Sequence, residues 1–496
     1  MHSPRSNPHG PDAETERSPA TRRWYRKKRY LIPVTALALF VTAVAIVVGR
    51  PLLQPLGQPG RFARAMEDAI ERQQPPGENG FPHLERAIEA AVRISDQIEG
   101  EFSAAAPGSE GLDYTGELPG GTAQVVELNR EHCRRVLQQL TVARVWDDLD
   151  LAAKAPRAVR TVDSTSWYLS QKYYWLGHRR RLARINRLRM EVALERGDLV
   201  EFVRATESGL AIGRLSAPHQ GVIHEVVGMA VQQMTLDCVR GALMSRALDE
   251  RTLESLLAAV DRQRLRPPSH ILDTERVVTL DAIEFLHTDD GRGDGYLNVD
   301  ALKRLTDMGD GLPVERSPWA SVPGIVLPRK AKTVSAANRF FDTLAQQTSA
   351  GASVSEIRNA AELLHDENKS EYNLAMGILL PALQNAVLTR LQCDARIEGV
   401  RLMIALQRYR FARGRYPATL AEAAPSFIVT IPRDPHSASM FCYRVVDASA
   451  PLPGDGYLLY CTGFDGSDDG GNAHKSPYDA FTVCGKGTDY IINSLD

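Results

Sequence analysis

Residues Arg184 to Leu215, RINRLRMEVALERGDLVEFVRATESGLAIGRL, decide the fold class. The stretch reads as one helix, a tight turn at Arg196 to Asp198, and a second helix opening just after Asp198. Gly197 suits the turn because glycine enters left-handed backbone at no steric cost, and Asp198 offers a side-chain acceptor to the first free N–H groups of the next helix. The Arg-Gly-Asp tripeptide is also an adhesion sequence, but turn and cap explain it without a receptor.

Outward from this hairpin, helical periodicity dominates residues 125–391; Val136, Leu137, Leu140 and Ala143, for example, fall on one stripe. The helix pair resembles a tetratricopeptide-type repeat unit, yet no second copy recurs at a fixed period, so an irregular α-solenoid or helical bundle is expected. Ser353 and Glu356 form a capping box that opens a helix reaching about His365. Residues 312–334 hold four prolines and are expected to lie as an ordered loop across the helices, with Trp319, Ile325 and Val326 wanting cover. Residues 288–302, TDDGRGDGYLNVDAL, resemble an EF-hand or dockerin loop at Asp290, Asp294, Gly295, Leu297 and Asn298. Arg292 and Ala301, however, stand at the third and twelfth positions, where oxygen ligands belong, so a Gly/Asp connector is the better reading.

Toward the N-terminus, Leu31 to Gly49 is an uncharged run of 19 residues, about the length a helix needs to cross a bilayer core. Arg22, Arg23, Arg26, Lys27, Lys28 and Arg29 precede it, with Trp24, Tyr25 and Tyr30 suited to the headgroup zone, which places residues 1–30 as a disordered cytoplasmic tail and the bulk outside the inner membrane. The run exceeds a usual signal-peptide core and no small-x-small cleavage site follows, which favours an uncleaved single-pass anchor at 31–49. Residues 50–124 are expected as a juxtamembrane spacer, stiffest over 51–60, and helices. Lys+Arg (59) and Asp+Glu (61) nearly cancel, so nothing global argues for nucleic acid as a partner.

Toward the C-terminus the character changes, and 392–496 reads as a small α+β module. Leu402, Met403, Leu406 and Tyr409 stripe a long helix that ends at Arg413 with Gly414 as its stop, and Thr419 with Glu422 caps a short second helix. Then come a turn in IPRDPHS, two strands in MFCYRVV and GYLLYCTG, an aspartate-rich loop, and AFTVCG closing an antiparallel sheet. This order resembles the globular part of the major pseudopilins of type II secretion systems, carried by Gly414, Arg415, Tyr416 and Pro417, by Asp434 and Pro435, and by Gly463, Asp465, Gly466, Asp468, Asp469 and Asp479. It covers about the last hundred residues. The resemblance implies a bound Ca2+, with Asp465, Asp468 or Asp469, and Asp479 as candidate ligands. Hard calcium wants six to eight oxygens in a flexible cage, and the glycines let carbonyls turn inward; a solvated Asp-Gly turn is the alternative. Unlike the pseudopilins, the chain carries its apolar segment far upstream of this helix, without a peptidase site or the family's glutamate. The whole layout also resembles membrane-anchored bacterial proteins with a helical ectodomain and a pseudopilin-like tail, from which no activity follows.

Catalytic signatures are missing. His224 and Glu225 begin like a zinc-protease helix, but Gly228 stands where the second histidine belongs. There is no G-x-S-x-G elbow, Walker loop or C-x-x-C pair. The basic run His178 to Arg181 with Arg184, Arg187 and Arg189 reads as the wet face of a helix, and Asp147 and Asp148 as solvated charges. Cys133, Cys238 and Cys393 read as packed apolar side chains. Cys442 and Cys461 face each other if the hairpin turns near Pro451 and Leu452, which would permit a disulfide; a shifted register or Cys484 as partner stays open. The expectation is a mainly α, membrane-anchored extracytoplasmic binding or scaffold protein without enzymatic activity and with a protein partner. An accessory component of a secretion or pilus-like system, or a hydrolase with dispersed residues, are the alternatives.

Overall fold

The hairpin that decides the fold class forms as its sequence dictates. In the computed structural model, which describes residues 37–494 apart from 73, 108–110, 115–122, 162, 164, 172, 218–220, 246–247, 266, 307–316, 447–455, 464 and 473–486, the two helices are joined by the Arg196–Asp198 turn. Gly197 takes φ 69°, and the Asp198 carboxylate accepts the Glu201 N–H at 3.0 Å.

The described helices are α1 Leu37–Leu53, then α2 Ala63–Glu71, α3 Phe81–Ala105, α4 Ala123–Val142, α5 Val145–Lys154, α6 Tyr174–Glu195 and α7 Leu199–Ser216. They continue as α8 Val222–Ser245, α9 Glu250–Arg262, α10 Pro268–Leu286, α11 Val299–Thr306, α12 Lys330–Ser349, α13 Val354–Ser370 and α14 Leu374–Arg413. Strands β1 Cys442–Val445, β2 Tyr457–Cys461 and β3 Tyr490–Ile491 form an antiparallel sheet in the order β1-β2-β3. The chain is thus mainly helical with one small sheet.

Two apolar cores organise the body. One lies among α3, α4, α5 and α6, where Leu84, Ile98, Val136, Leu140, Leu149 and Ile185 are buried. The other joins α7, α8, α9, α12, α13 and α14 to the sheet through Phe202, Leu236, Leu256, Phe340, Leu402 and Ile492. Each such side chain contributes about 1.5–3 kcal/mol by leaving water. The helices α7 and α8 touch backbone to backbone: a Cβ on Gly213 would sit 2.7 Å from the Gly228 carbonyl oxygen, and a Cβ on Gly228 equally close to that of Gly213.

Helix α14 runs unbroken for 40 residues through 391–392, where the composition changes, and stops at Gly414 with φ 72°. Among the described residues it is the helix long and apolar enough to cross a membrane, but 56% of that window is buried inside the body, as befits a core helix. Of the N-terminal apolar run, residues 31–36 lie outside the described residues, as does the basic tail; α1 spans 17 described residues and presents Leu37, Leu39, Phe40 and Ile46 to the outside. Apolar side chains exposed in series along a helix are what a lipid-facing segment shows and what a water-facing one avoids.

Several expectations change. The Ser353/Glu356 capping box forms, but its helix continues past His365 to Ser370. The segment 51–60 is no free spacer: Leu56 bridges Thr288, and Gly57 lies so close that a Cβ would come within 2.2 Å of the Glu284 carbonyl oxygen. Trp319 and Val326 are 69% and 87% exposed rather than covered. Residues 288–302 fold as a connector whose Asp289 meets Lys330 and Arg61 and whose Asp294 meets Arg329. The β1–β2 register pairs Cys442 with Tyr460, so Cys442 and Cys461 point to opposite faces and both are free thiols. The AFTVCG segment and Cys484 lie outside the described residues.

Candidate functional site

The C-terminal loop brings acidic groups together at the end of the sheet. Asp465 Oδ1 accepts the Ser467 N–H and its Oδ2 the Gly487 N–H, both at 3.1 Å. Asp468 Oδ1 accepts the Gly470 N–H and the Tyr460 hydroxyl, each at 2.9 Å, and its Oδ2 takes the Cys442 thiol at 3.7 Å. These bonds, the Gly470 amide foremost, hold the Asp468 carboxyl below its ordinary value. Asp479 lies outside the described residues.

Asp489, one residue before β3, belongs to the same group and was missed from sequence because it stands twenty residues from the nearest acidic pair. Its Oδ2 accepts the Asp469 and Gly471 N–H groups at 3.0 and 2.8 Å, so the loop is folded onto it. The residue is buried, and its Oδ1, like Asp469 Oδ2, has no hydrogen-bond partner among the described residues. Burial first, then the charges of Asp468 and Asp469, push the Asp489 carboxyl up. Two inaccessible carboxylate oxygens without donors among the described residues lie beside a third carboxylate, with Arg444 bound to the Gly470 carbonyl at 3.2 Å.

A calcium ion at this loop would be held by Asp465, Asp468, Asp469 and Asp489, and its charge would relieve the crowding that raises Asp489. The carboxylates as they stand are not gathered to metal-binding distance; among the described residues, the group whose ligand atoms lie within 4.8 Å of one another is Asp434, His436 and Cys461.

That second group is a rivet. Asp434, in the Asp-Pro turn, accepts from the His436 N–H at 2.8 Å, the Ser437 hydroxyl at 2.8 Å, and the Thr462 N–H and hydroxyl at 3.1 Å each. Three of these donors share Oδ2 and the His436 N–H takes Oδ1, so the carboxylate already serves as the knot of the turn. His436 Nδ1 lies 2.7 Å from the Thr462 carbonyl and must carry the proton there, and burial holds its pKa below the ordinary histidine value. The His436 carbonyl also takes the Val354 N–H at 2.9 Å, which ties the turn to the start of α13.

Among the described residues, two clefts in the helical body gather charged side chains. One, of about 500 Å3 between α9, α10 and α14, is lined by Arg264, Arg390, Arg401 and Arg433. Glu398 pairs with Arg264 and Arg401, Asp261 with Arg401, and Asp394 and Glu225 with Arg390, so three of the four guanidiniums are engaged in an ionic network. Glu225 is thereby accounted for, and His224 packs against Tyr173 and Trp175 at ring distances of 4.7 and 4.9 Å, so the zinc-like sequence is core.

The other cleft, of about 670 Å3, opens between α4, α5, α6 and the start of α7. Leu137, Val142, Trp146 and Val192 give it apolar walls. Arg189 lies in it with its guanidinium carbon 4.4 Å from the Trp146 ring centroid. Its Nε donates to Glu201 at 2.6 Å and its Nη1 to Asn186 at 3.4 Å, while Nη2 has no partner among the described residues. The wet-face reading of the basic run thus fails at Arg189 and at Arg179, which is 1% exposed with its guanidinium 4.1 Å from the Trp175 ring centroid. Aromatic faces accept guanidiniums that water gives up cheaply, which a charge pattern alone does not reveal.

Comparison with protein-family models, with curated proteins and with solved structures returned no match.

Proposed function

We propose that this chain is a single-pass, membrane-anchored binding protein of the extracytoplasmic space, without catalytic turnover, whose ligand seat is the α4–α7 cleft. The observation that carries this reading is Arg189, a buried guanidinium bound to Glu201 and set on Trp146 at the side of a cleft with mixed apolar and charged walls. Such a cleft takes an apolar group flanked by polar ones, as in a peptide segment. Its lining offers no nucleophile with an adjacent base. Calcium is structural in this reading and orders the C-terminal loop.

Val142 is 80% exposed at the cleft mouth, so Val142→Asp should leave the fold intact while placing a charge against an apolar ligand. A photo-crosslinking residue at Leu137 of the full chain in its native membrane should then give an adduct that Val142→Asp reduces at least about tenfold, a binding loss of ~1.4 kcal/mol. A crosslinker at Leu363, exposed on α13, should give none. Equal adducts at the two positions, or indifference to Val142→Asp, would remove the cleft as the seat.

A second reading, an accessory component of a type II secretion or pilus-like system, draws on the helix, turn, hairpin and aspartate-loop order. Against filament assembly, the apolar length of α14 is already packed on α8, α9 and α13, which leaves the outer surface of the module for contacts.

A further inference from the structure

The exit of α1 is stitched to the body. Val48 and Gly49 are half-buried and Pro51 is buried, so the body reaches α1 at the end of its apolar run. Beyond the helix, Asp289 N–H donates to the Pro55 carbonyl at 2.8 Å, Gly57 N–H to the His287 carbonyl at 3.3 Å, and Thr288 hydroxyl to Gln54 at 2.7 Å. Arg61 binds Glu284 at 2.9 Å, and Lys330, buried like Glu284, meets the same carboxylate at 2.6 Å. From Gly49 to Leu56 the chain runs four helical and three extended residues, so Leu56, which bridges Thr288 of the 287–297 hairpin, stands at most about 16 Å above the hydrocarbon edge. The headgroup layer itself occupies roughly 5–8 Å of that.

On this hairpin rests the loop 317–327. A Cβ on Gly324 would fall 2.3 Å from the Leu297 carbonyl oxygen, and Asn298 donates to the Ser317 carbonyl at 2.8 Å and the Ser321 hydroxyl at 3.0 Å. The loop is two single 3-10 turns, Pro318–Ser321 and Pro323–Val326. With Ser321 and Gly324 held inward, Pro318, Trp319, Pro323 and Val326 face out, Trp319 by 69% and Val326 by 87%. Leu53, at the exit of α1, is 86% exposed.

We propose that this loop is a second membrane contact, with Trp319 and Val326 seated at the headgroup and acyl boundary of the phospholipid bilayer that α1 crosses. The inference rests on the reading of α1 as an anchor. Lipid is favoured as occupant because the loop packs on the hairpin that the exit of α1 pairs with, and because one indole and one isopropyl group on proline-stiffened turns suit shallow insertion better than a protein interface of ordinary area. Anchor and loop together fix the tilt of the body, which a single helix leaves free to swivel.

The test uses the full chain in liposomes of zwitterionic phospholipid brominated on the acyl chain near the headgroup. Trp24→Phe removes the indole that precedes the apolar run, and Trp319→Phe is then added. The expected result is quenching of the Trp24→Phe protein that the double variant loses, with the lost emission blue-shifted. Identical quenching of the two proteins overturns the proposal. A shielded Trp319 that brominated lipid does not quench overturns it in favour of a protein partner or a second copy. Alkaline carbonate extraction separates the premises: release of the chain overturns the anchor reading and this proposal with it, whereas retention with an unquenched Trp319 overturns the loop contact alone.

Discussion

Asp489→Asn is the perturbation with the sharpest outcome, because it should stabilise the C-terminal loop without calcium and make it indifferent to calcium. In the wild type, Asp489 Oδ1 and Asp469 Oδ2 are buried without donors among the described residues. Leaving such an oxygen unsatisfied costs ~1–3 kcal/mol. The asparagine keeps an oxygen for the Asp469 and Gly471 N–H groups, removes a charge, and adds an N–H donor beside the Asp469 carboxylate. In chelator, amide exchange over residues 456–494 of the variant should therefore be slower than in wild type by roughly 5- to 100-fold, the kinetic equivalent of that cost. Calcium at a hundred times its dissociation constant adds ~2.7 kcal/mol to wild type and slows its exchange about a hundredfold, but should leave the variant unmoved. Exchange with mass-spectrometric readout is preferred to a melting curve, since a chain this long shifts its midpoint by only about 1–2 °C per kcal/mol. The sign with pH follows. A carboxyl raised in the folded state favours the fold while protonated, so wild-type protection in chelator should be greatest in acid, below the ordinary aspartate range, and fall as pH rises through the raised value. Full calcium protection of the variant, or faster exchange than wild type in chelator, would falsify the assignment.

Gly228→Ala should destabilise the body by ~1–3 kcal/mol, because its Cβ meets the Gly213 carbonyl at 2.7 Å and neither helix backbone can yield. Gly177→Ala, on α6 with nothing within 4 Å, should be neutral or stabilising, and urea midpoints of the pair decide the matter. Asp281 is pushed up to about 7, first by burial and further by Glu284, against the Tyr168 N–H that it accepts at 2.9 Å. Its contribution is fully present below its unfolded value near 3.8 and is lost as pH rises through about 7. Asp281→Asn should therefore flatten the decline in urea midpoint between pH 4 and 8; parallel curves for the two proteins would refute this.

Local chemistry was the legible part of the fold. Gly197 with Asp198, Ser353 with Glu356, Thr419 with Glu422, and Gly414 mark helix ends by the hydrogen bonds and left-handed backbone that such ends require, and each does so in the structure. What depends on distant partners was not legible. Trp175, one helical turn before Arg179, was within reach of the pattern, but nothing near it in sequence announces that Phe81 will also meet its guanidinium. A one-residue difference in register sends Cys442 and Cys461 to opposite faces, and the hairpin sequence leaves that difference open. At the candidate sites, the aspartate-rich loop was conspicuous, but Asp489 joins it only through sheet geometry, and the Trp146–Arg189 pairing needs α5 and α6 already packed. The exposure of Trp319 inverted its expectation, since an apolar side chain in a loop asks for cover without saying whether protein or lipid supplies it.

The bonds from Arg240 on α8 to the Ile492 and Ser494 carbonyls close a loop of more than 250 residues. Together with Ile492, which meets α14 at Gly399, they make the last described residues part of the core that α8 begins. Assembly is therefore ordered in time. While the chain is being synthesised its helical hairpins can form one after another, but the central core stays unsealed until β3 arrives. Contacts this distant in sequence slow folding, and until they form the apolar flank of α14 stands open to chaperones and proteases. A chain cut before β3 would keep its helices and lose the bonds by which Ile492 and Ser494 seal the core.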